Sequence, residues 1–360
     1  MIMVVSKVAL LTILAVALLP WLPNAVDINH MKQLAAQHNV TCILTFGDSS
    51  VDPGNNNRLA TPMKGNFPPY GKDFFNGRPT GRFTNGRLAT DFIAEALGYT
   101  KVIPAFLDPN LKPTDLLHGV SFASAASGYD DFTANLSEVL TVSKQLEYFR
   151  HYKLHLGKLV GQQKAEYIIR NAIIVLSMGT NDFLQDYYLE PERPKQFTVE
   201  QYQNYLASCM FSDIKEMNRL GITRVVVVGV PPLGCMPLVK TLKGESSCVK
   251  SYNQVAASFN SKIQEKLAIL RTTHGLKTAF VDCYKVIEDA VTRPRQYGLE
   301  EVSKGCCGTG AIEYGDTCKG LSTCADASKY AFWDAVHPTE AMYRIVADEA
   351  IKSLSETLLA

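Results

Sequence analysis

Two short stretches constrain the fold more than anything else in the chain. Ala172–Met178 (AIIVLSM) and Arg224–Val230 (RVVVVGV) are unbroken apolar runs rich in β-branched residues. A strand with one wet face alternates apolar and polar residues. A continuous run suits a strand buried on both faces, as in a parallel sheet covered by helices. Thr41–Phe46 and Lys277–Val281 read as two more strands, and His118–Ala123 as a weaker fifth. Helix-like stretches lie between them. Thr198–Leu220 ends at Gly221, Val249–Thr273 ends near Gly275, and Glu340–Leu359 closes the chain after Pro338. Strand–helix alternation predicts a parallel sheet with helices on both faces, whose ligands bind beyond the carboxyl ends of the strands. No repeat, low-complexity tract or linker interrupts the pattern, so residues 26–360 read as a single domain.

Hydrophobic residues make up 46% of the 360, enough for a large core. Lys plus Arg number 36 and Asp plus Glu 35, a net charge of +1. That balance offers no basic surface for nucleic acid or an anionic membrane, and it suits a small or neutral substrate. Residues 1–25 stand apart: Lys7 precedes the apolar run Val8–Leu19, then come Pro20, Pro23 and Ala25. This is the pattern of a secretory signal peptide cleaved near Ala25. The run is short for a bilayer span, which needs about 20 residues, and no other stretch is long and apolar enough. The sequons Asn39-Val40-Thr41 and Asn135-Leu136-Ser137 fit export and glycosylation at Asn39 and Asn135.

In an oxidising compartment some of the nine cysteines should pair. Cys235 with Cys248 would close a short loop, and two of Cys306, Cys307, Cys318 and Cys324 another. The odd total leaves at least one thiol free or paired between chains. Zinc is not expected: no Cys-x-x-Cys spacing occurs, and His151 and His155 have no evident third ligand. Val51–Arg87, rich in Gly, Pro, Asn and aromatics, and Tyr297–Lys329, rich in Gly and Cys, read as ordered surface loops. Loops of that length are usually functional or stapled.

The chemistry-bearing residues follow the strands or lie in loops that can reach the same sheet edge. The first strand runs into Phe46-Gly47-Asp48-Ser49-Ser50, which sets Ser49 at the carboxyl edge, where backbone N–H groups gather. Asp334 and His337, three apart in FWDAVHPT, can share one side of a turn. The carboxylate would then take the imidazole Nδ1–H and leave Nε2 to accept a serine proton. After the second strand comes Ser177-Met178-Gly179-Thr180-Asn181-Asp182, whose Asn181 amide can point at an oxyanion. Gly119–Gly128 (GVSFASAASG) is small enough for its backbone to approach a ligand closely. Each element is weak alone, and a serine in a turn is often only a helix cap; their agreement carries the reading.

These motifs resemble plant-type GDSL esterase/lipases of the SGNH hydrolase superfamily over about residues 41–355. The matching blocks are Phe46–Asn57, Asn76–Gly86, Gly179–Asp182, Pro231–Pro237, Cys306–Gly308 and Tyr330–Thr339. The resemblance implies a three-layer α/β/α sandwich, flavodoxin-like, on a mainly parallel sheet of about five strands. It implies Ser49 as nucleophile, Asp334 and His337 as its partners, and an oxyanion hole from the Ser49 N–H, the Gly128 N–H and Asn181. It implies no metal or organic cofactor. Two departures stand out: Ser50 replaces the name-giving Leu, and Ala126 stands where many relatives have Gly. The backbone donor is therefore expected at Gly128, with Ala126 the alternative.

The function expected is a secreted, apoplastic or cell-wall esterase/lipase acting on small-molecule, lipid or polysaccharide esters in lipid metabolism. The chain is expected to work as a monomer without nucleic-acid partners. The alternatives are an acyltransferase, a carbohydrate deacetylase on cell-wall or cuticle substrates, and a secreted binding protein with a vestigial site. No lid-like amphipathic helix is evident.

Overall fold

The computed structural model describes residues 27–360. The expected signal peptide, residues 1–25, lies outside them. Four strands form the central sheet: β1 (Ile43–Gly47), β2 (Ile173–Ser177), β3 (Arg224–Val228) and β4 (Lys277–Val281). They are ordered β1-β2-β3-β4 and parallel throughout. Every residue of β1 and β2 is buried, as their unbroken apolar sequences require.

The fifth expected strand is only partly formed. Ser121 bridges Thr45 in parallel, the Thr45 N–H donates to Val120 O, and the Phe122 N–H donates to Thr45 O. A third bond follows, from the Ser124 N–H to Gly47 O, and the ladder ends there because the Gly47 N–H goes to Gln145 Oε1 instead; on the outer edge the Asn55 amide takes the carbonyls of Ser121 and Ala123. This segment lies outside β1, so the second strand-like segment in sequence flanks the first. That is the doubly wound order of flavodoxin-like sheets.

Helices cover the sheet in two groups, giving three α/β/α layers. Val142–Val160, Val199–Arg219 and Lys250–His274 pack together, and Ala89–Ala96, Cys283–Thr292 and Glu340–Ser353 form the other group. Local sequence sets their ends. Thr198 and Gln201 exchange hydrogen bonds as a capping box, and Gly275 ends its helix at φ 64°.

Val51–Arg87 departs from the surface loop expected. Asp52, Asn55, Asn56, Tyr70, Arg82 and Phe83 are buried. Their polar groups stand in for sheet partners: Asn56 donates to Ala125 O, and Asp52 accepts the Ala125 N–H. Buried backbone must be paired, and these side chains pair it. In the second long segment all four cysteines bond, Cys306 to Cys324 and Cys307 to Cys318, rather than two of them. Cys235 bonds Cys248, while Cys42, Cys209 and Cys283 are free thiols. The short parallel strands β5 (Glu301–Gly305) and β6 (Tyr330–Phe332) tie this stapled segment to the stretch that leads into Asp334.

Candidate active site

β1 ends at Gly47, whose φ of +146° and closeness to the Ser177 carbonyl leave no room for a Cβ. The buried Gln145 amide grips this exit, accepting the Gly47 N–H at 3.0 Å and donating to Gly47 O at 3.0 Å. Ser49 follows in a turn, not at a helix cap, and is buried.

His337 reaches Ser49 from the far end of the chain. Its Nε2 lies 2.9 Å from Ser49 Oγ, and its Nδ1 lies 2.8 Å from Asp334 Oδ2. The pair sits in the loop between β6 and Glu340–Ser353. The three-residue spacing works there because Asp334 Oδ1 accepts the N–H groups of Val336 and His337, at 2.9 and 2.6 Å. Phe83 packs on the imidazole, with ring centroids 4.8 Å apart.

Asp334 has a further partner that spacing does not reveal. The buried Tyr70 hydroxyl donates to Asp334 Oδ2 at 2.7 Å and accepts the Gly315 N–H at 2.7 Å. Tyr70 comes from the buried long loop, and Gly315 from inside the Cys307–Cys318 bridge. Gln145 was equally unannounced, although a lone amide within the apolar stripe Val142, Leu146, Phe149, Tyr152 is itself a signal.

The other side of Ser49 is built from the Ser177–Asp182 and Gly119–Gly128 motifs. Asn181 Nδ2 donates to Ser127 O at 2.9 Å, which orients the amide and leaves its second hydrogen free. Asp182 accepts the N–H groups of Tyr129 and Asp130, at 3.0 Å each, and the Thr133 hydroxyl at 2.8 Å. It packs so closely on Gly128 that a Cβ there would collide with its carboxylate. Burial pushes the Asp182 carboxyl up to about 7. Ala126 holds φ 68°, a left-handed conformation that glycine adopts without strain. Among the described residues, the N–H groups of Ser49, Ala126 and Gly128 have no protein acceptor.

Ser50, the departure beside Ser49, donates to Asp48 Oδ1 at 2.7 Å and meets Ser177 Oγ at 2.8 Å. Burial pushes the Asp48 carboxyl up to about 6, against the opposing hydrogen bonds from Ser50 and the neighbouring His337. Asn39 and Asn135 are exposed. Among the described residues no group of three His, Cys, Asp or Glu side chains is placed to hold a metal ion, and no helix is long and apolar enough to cross a membrane.

Residues 43–350 match the family model described as GDSL-like Lipase/Acylhydrolase. One GDSL esterase/lipase of Arabidopsis thaliana is 56% identical, over 98% of this chain and 99% of its own. Another from the same plant is 44% identical, over 88% of this chain and 91% of its own. Among solved structures, the chain is similar to a catalytic mutant of an acetylxylan esterase from Geobacillus stearothermophilus. That match has TM-score 0.42 and 12% identity, and covers 87% of this chain and 94% of the other. On the strength of the family model and these relatives, the chain belongs to the GDSL-like lipase/acylhydrolase family, a family of carboxylic ester hydrolases.

Proposed function

We propose that this protein is a secreted serine esterase/lipase of lipid metabolism that works through Ser49, His337 and Asp334. The observation that carries the reading is the continuous hydrogen-bonded chain from Ser49 Oγ through both imidazole nitrogens to a buried carboxylate. His337 Nε2 takes the Ser49 proton as Oγ attacks the ester carbonyl, while Asp334 holds the tautomer and stabilises the imidazolium. The tetrahedral oxyanion is met by the Ser49 N–H, the Gly128 N–H and the free Asn181 amide hydrogen, with the Ala126 N–H as the other candidate donor. His337 then protonates the leaving alcohol. Water repeats the sequence on the acyl-enzyme and releases the acid.

Three disulfides and the exposed sequon residues Asn39 and Asn135 support an extracellular role. The reading takes residues 26–360 as one domain acting as a monomer. Ser49→Ala is the test. The variant should lose hydrolysis of a short p-nitrophenyl ester and labelling by a fluorophosphonate, while melting like the wild type. Undiminished hydrolysis by Ser49→Ala would overturn the assignment.

A further inference from the structure

Gln145 stands in the first turn of the helix Val142–Val160, in the buried stripe with Val142, Leu146, Phe149 and Tyr152. Its amide orientation is fixed, because the Gly47 N–H can only donate and therefore takes Oε1. Nε2 then has two hydrogens for three acceptors: Gly47 O at 3.0 Å, Ser127 Oγ at 3.2 Å and Leu140 O at 3.4 Å. Gly47 and Ser127 belong to the two halves of the site. Gly47 lies two residues before Ser49. Ser127 directly precedes Gly128, and its carbonyl accepts from the Asn181 amide at 2.9 Å. The Ser127 hydroxyl accepts from Gln145 and has its own hydrogen for Gly47 O or Ser124 O, 2.7 Å from each. Gln145, Ser124 and Ser127 are fully buried, where a hydrogen bond is strong and an unpaired group is costly. Pairing a strand end needs one acceptor for one N–H. Gln145 supplies that and also bonds the loop that carries the Gly128 N–H.

We propose that Gln145, acting with Ser127, is a positioning residue that fixes the Ser49 turn against the oxyanion donors. The proposal rests on the serine-hydrolase reading above, which gives Ser49, Gly128 and Asn181 their roles. Gln145 touches no reacting atom. It sets two backbone segments at one separation, so that Ser49 Oγ and the donors converge on the same carbonyl. A misplacement of about 1 Å can cost about 10²-fold in rate. The donors matter most once the oxyanion forms, so the loss falls on kcat rather than KM. Among the described residues, the hydrogen-bond partners of Gln145 carry no titratable group, and the carboxyl of Asp48, next along from Gly47, is turned to Ser50. A glutamate in place of Gln145 is therefore a clean probe. Its neutral acid keeps a donor and an acceptor, whereas its anion keeps no donor. Burial raises the pKa of such a carboxyl, which brings the neutral form into the working range.

The experiment measures kcat and KM on a short p-nitrophenyl ester from pH 6 to pH 8 for wild type, Gln145→Glu and Ser127→Ala, in the full secreted protein, with melting followed in parallel. Dividing each variant's kcat by the wild-type value at the same pH removes the titration of His337. Gln145→Glu should lose about 10–100-fold in kcat at pH 8 with KM little changed. Its relative kcat should then rise as pH falls and the neutral acid returns, which a loss of stability alone would not produce. Ser127→Ala, a smaller change, should lose about tenfold in kcat at every pH. A relative kcat for Gln145→Glu within about twofold of wild type throughout, or a loss confined to KM, overturns the proposal. A loss that does not ease at low pH traces to packing rather than to the donor and overturns it too. Should Gln145→Glu not fold, Ser127→Ala decides: the expected fall in kcat supports the proposal, and an unchanged kcat overturns it. Each of these outcomes leaves the hydrolase reading intact. A wild type that neither hydrolyses any ester nor takes a fluorophosphonate label overturns that reading and this one with it.

Discussion

Tyr70→Phe removes one oxygen and tests whether the buried long loop takes part in catalysis. That oxygen makes two buried hydrogen bonds, to Asp334 Oδ2 and from the Gly315 N–H. A bond to a charged acceptor is worth about 1.5–3 kcal/mol, and a buried N–H left without a partner costs about 1–3 kcal/mol. A stability loss of about 3 kcal/mol follows, with the melting temperature falling by about 4 °C in a domain of this size. The catalytic loss should be smaller, because Asp334 Oδ1 keeps the Val336 and His337 N–H groups. What is lost is the hold on Oδ2, the oxygen nearer His337 Nδ1. Disabling a triad carboxylate outright costs about 10⁴-fold in kcat. Loosening one of its oxygens should cost about tenfold, with KM unchanged. The assay is kcat and KM on a short p-nitrophenyl ester, well below the variant's melting temperature. A melting point that drops as expected while kcat stays within about twofold of wild type would refute the catalytic part. Tyr70 would then be a structural tie alone.

Other sites give sharper but simpler outcomes. Asn181→Ala should lower kcat by about 10²–10³-fold, about 3 kcal/mol of barrier, with KM little changed; an effect on KM alone would remove Asn181 from the oxyanion site. Ala126→Gly relieves a left-handed alanine worth about 1–2 kcal/mol and adds about 0.5–1 kcal/mol of glycine entropy. The variant should melt at or slightly above wild type and keep its activity, and a clear drop in melting point would show that the Ala126 methyl in its cluster with Ala134 and Val139 matters more. Burial pushes the carboxyls of Asp48 and Asp52 up to about 6. The unfolded chain therefore loses these protons first as pH rises, so their contribution is full below about pH 4 and is lost as pH passes about 6. Each is worth up to about 3 kcal/mol. Melting should be higher at pH 5 than at pH 8, and the opposite slope would refute the assignment.

The parallel sheet was legible because burial on both faces leaves an unbroken apolar signature, which β2 and β3 carry most clearly, while the edge strand β4 begins at an exposed Lys277. The partial strand at Ser121 was faint for a physical reason: its edge is satisfied by the Asn55 side chain, which leaves no period in the sequence. The Asp334–His337 pair was legible from spacing, although an Asx turn rather than a helix brings the two together. Tyr70 and Gln145 were not legible, because each meets its partner at a separation that no local pattern encodes. The buried character of Val51–Arg87 was hidden by composition. Its Asn, Asp and Arg residues look like solvated loop chemistry but serve as buried partners for other backbone.

The same substitution of side chains for backbone explains how loops can hold this site still. A catalytic turn on a sheet edge is normally steadied by the strand before it, and β1 does that up to Gly47. Beyond that point side chains from elsewhere supplement the turn's own backbone bonds, from the Asp48 N–H to Ser177 O and from the Val51 N–H to Asp48 O. Gln145 fixes Gly47 from a helix; Asp182 fixes the Tyr129–Asp130 backbone beside Gly128; Tyr70 fixes Asp334 from a loop and is itself held by Gly315. Gly315 in turn lies within the loop that Cys307–Cys318 closes, so a covalent staple stands at the end of a hydrogen-bonded path to the carboxylate. Shortening the ensemble of that loop is what lets a weak tie, a single phenol, hold a charged group at fixed geometry. On this logic the two cystines of the stapled segment belong to the preorganisation of the site as much as to stability. Opening Cys307–Cys318 should act on catalysis through Gly315 and Tyr70, and that loss should largely vanish in a Tyr70→Phe background, where the path is already cut.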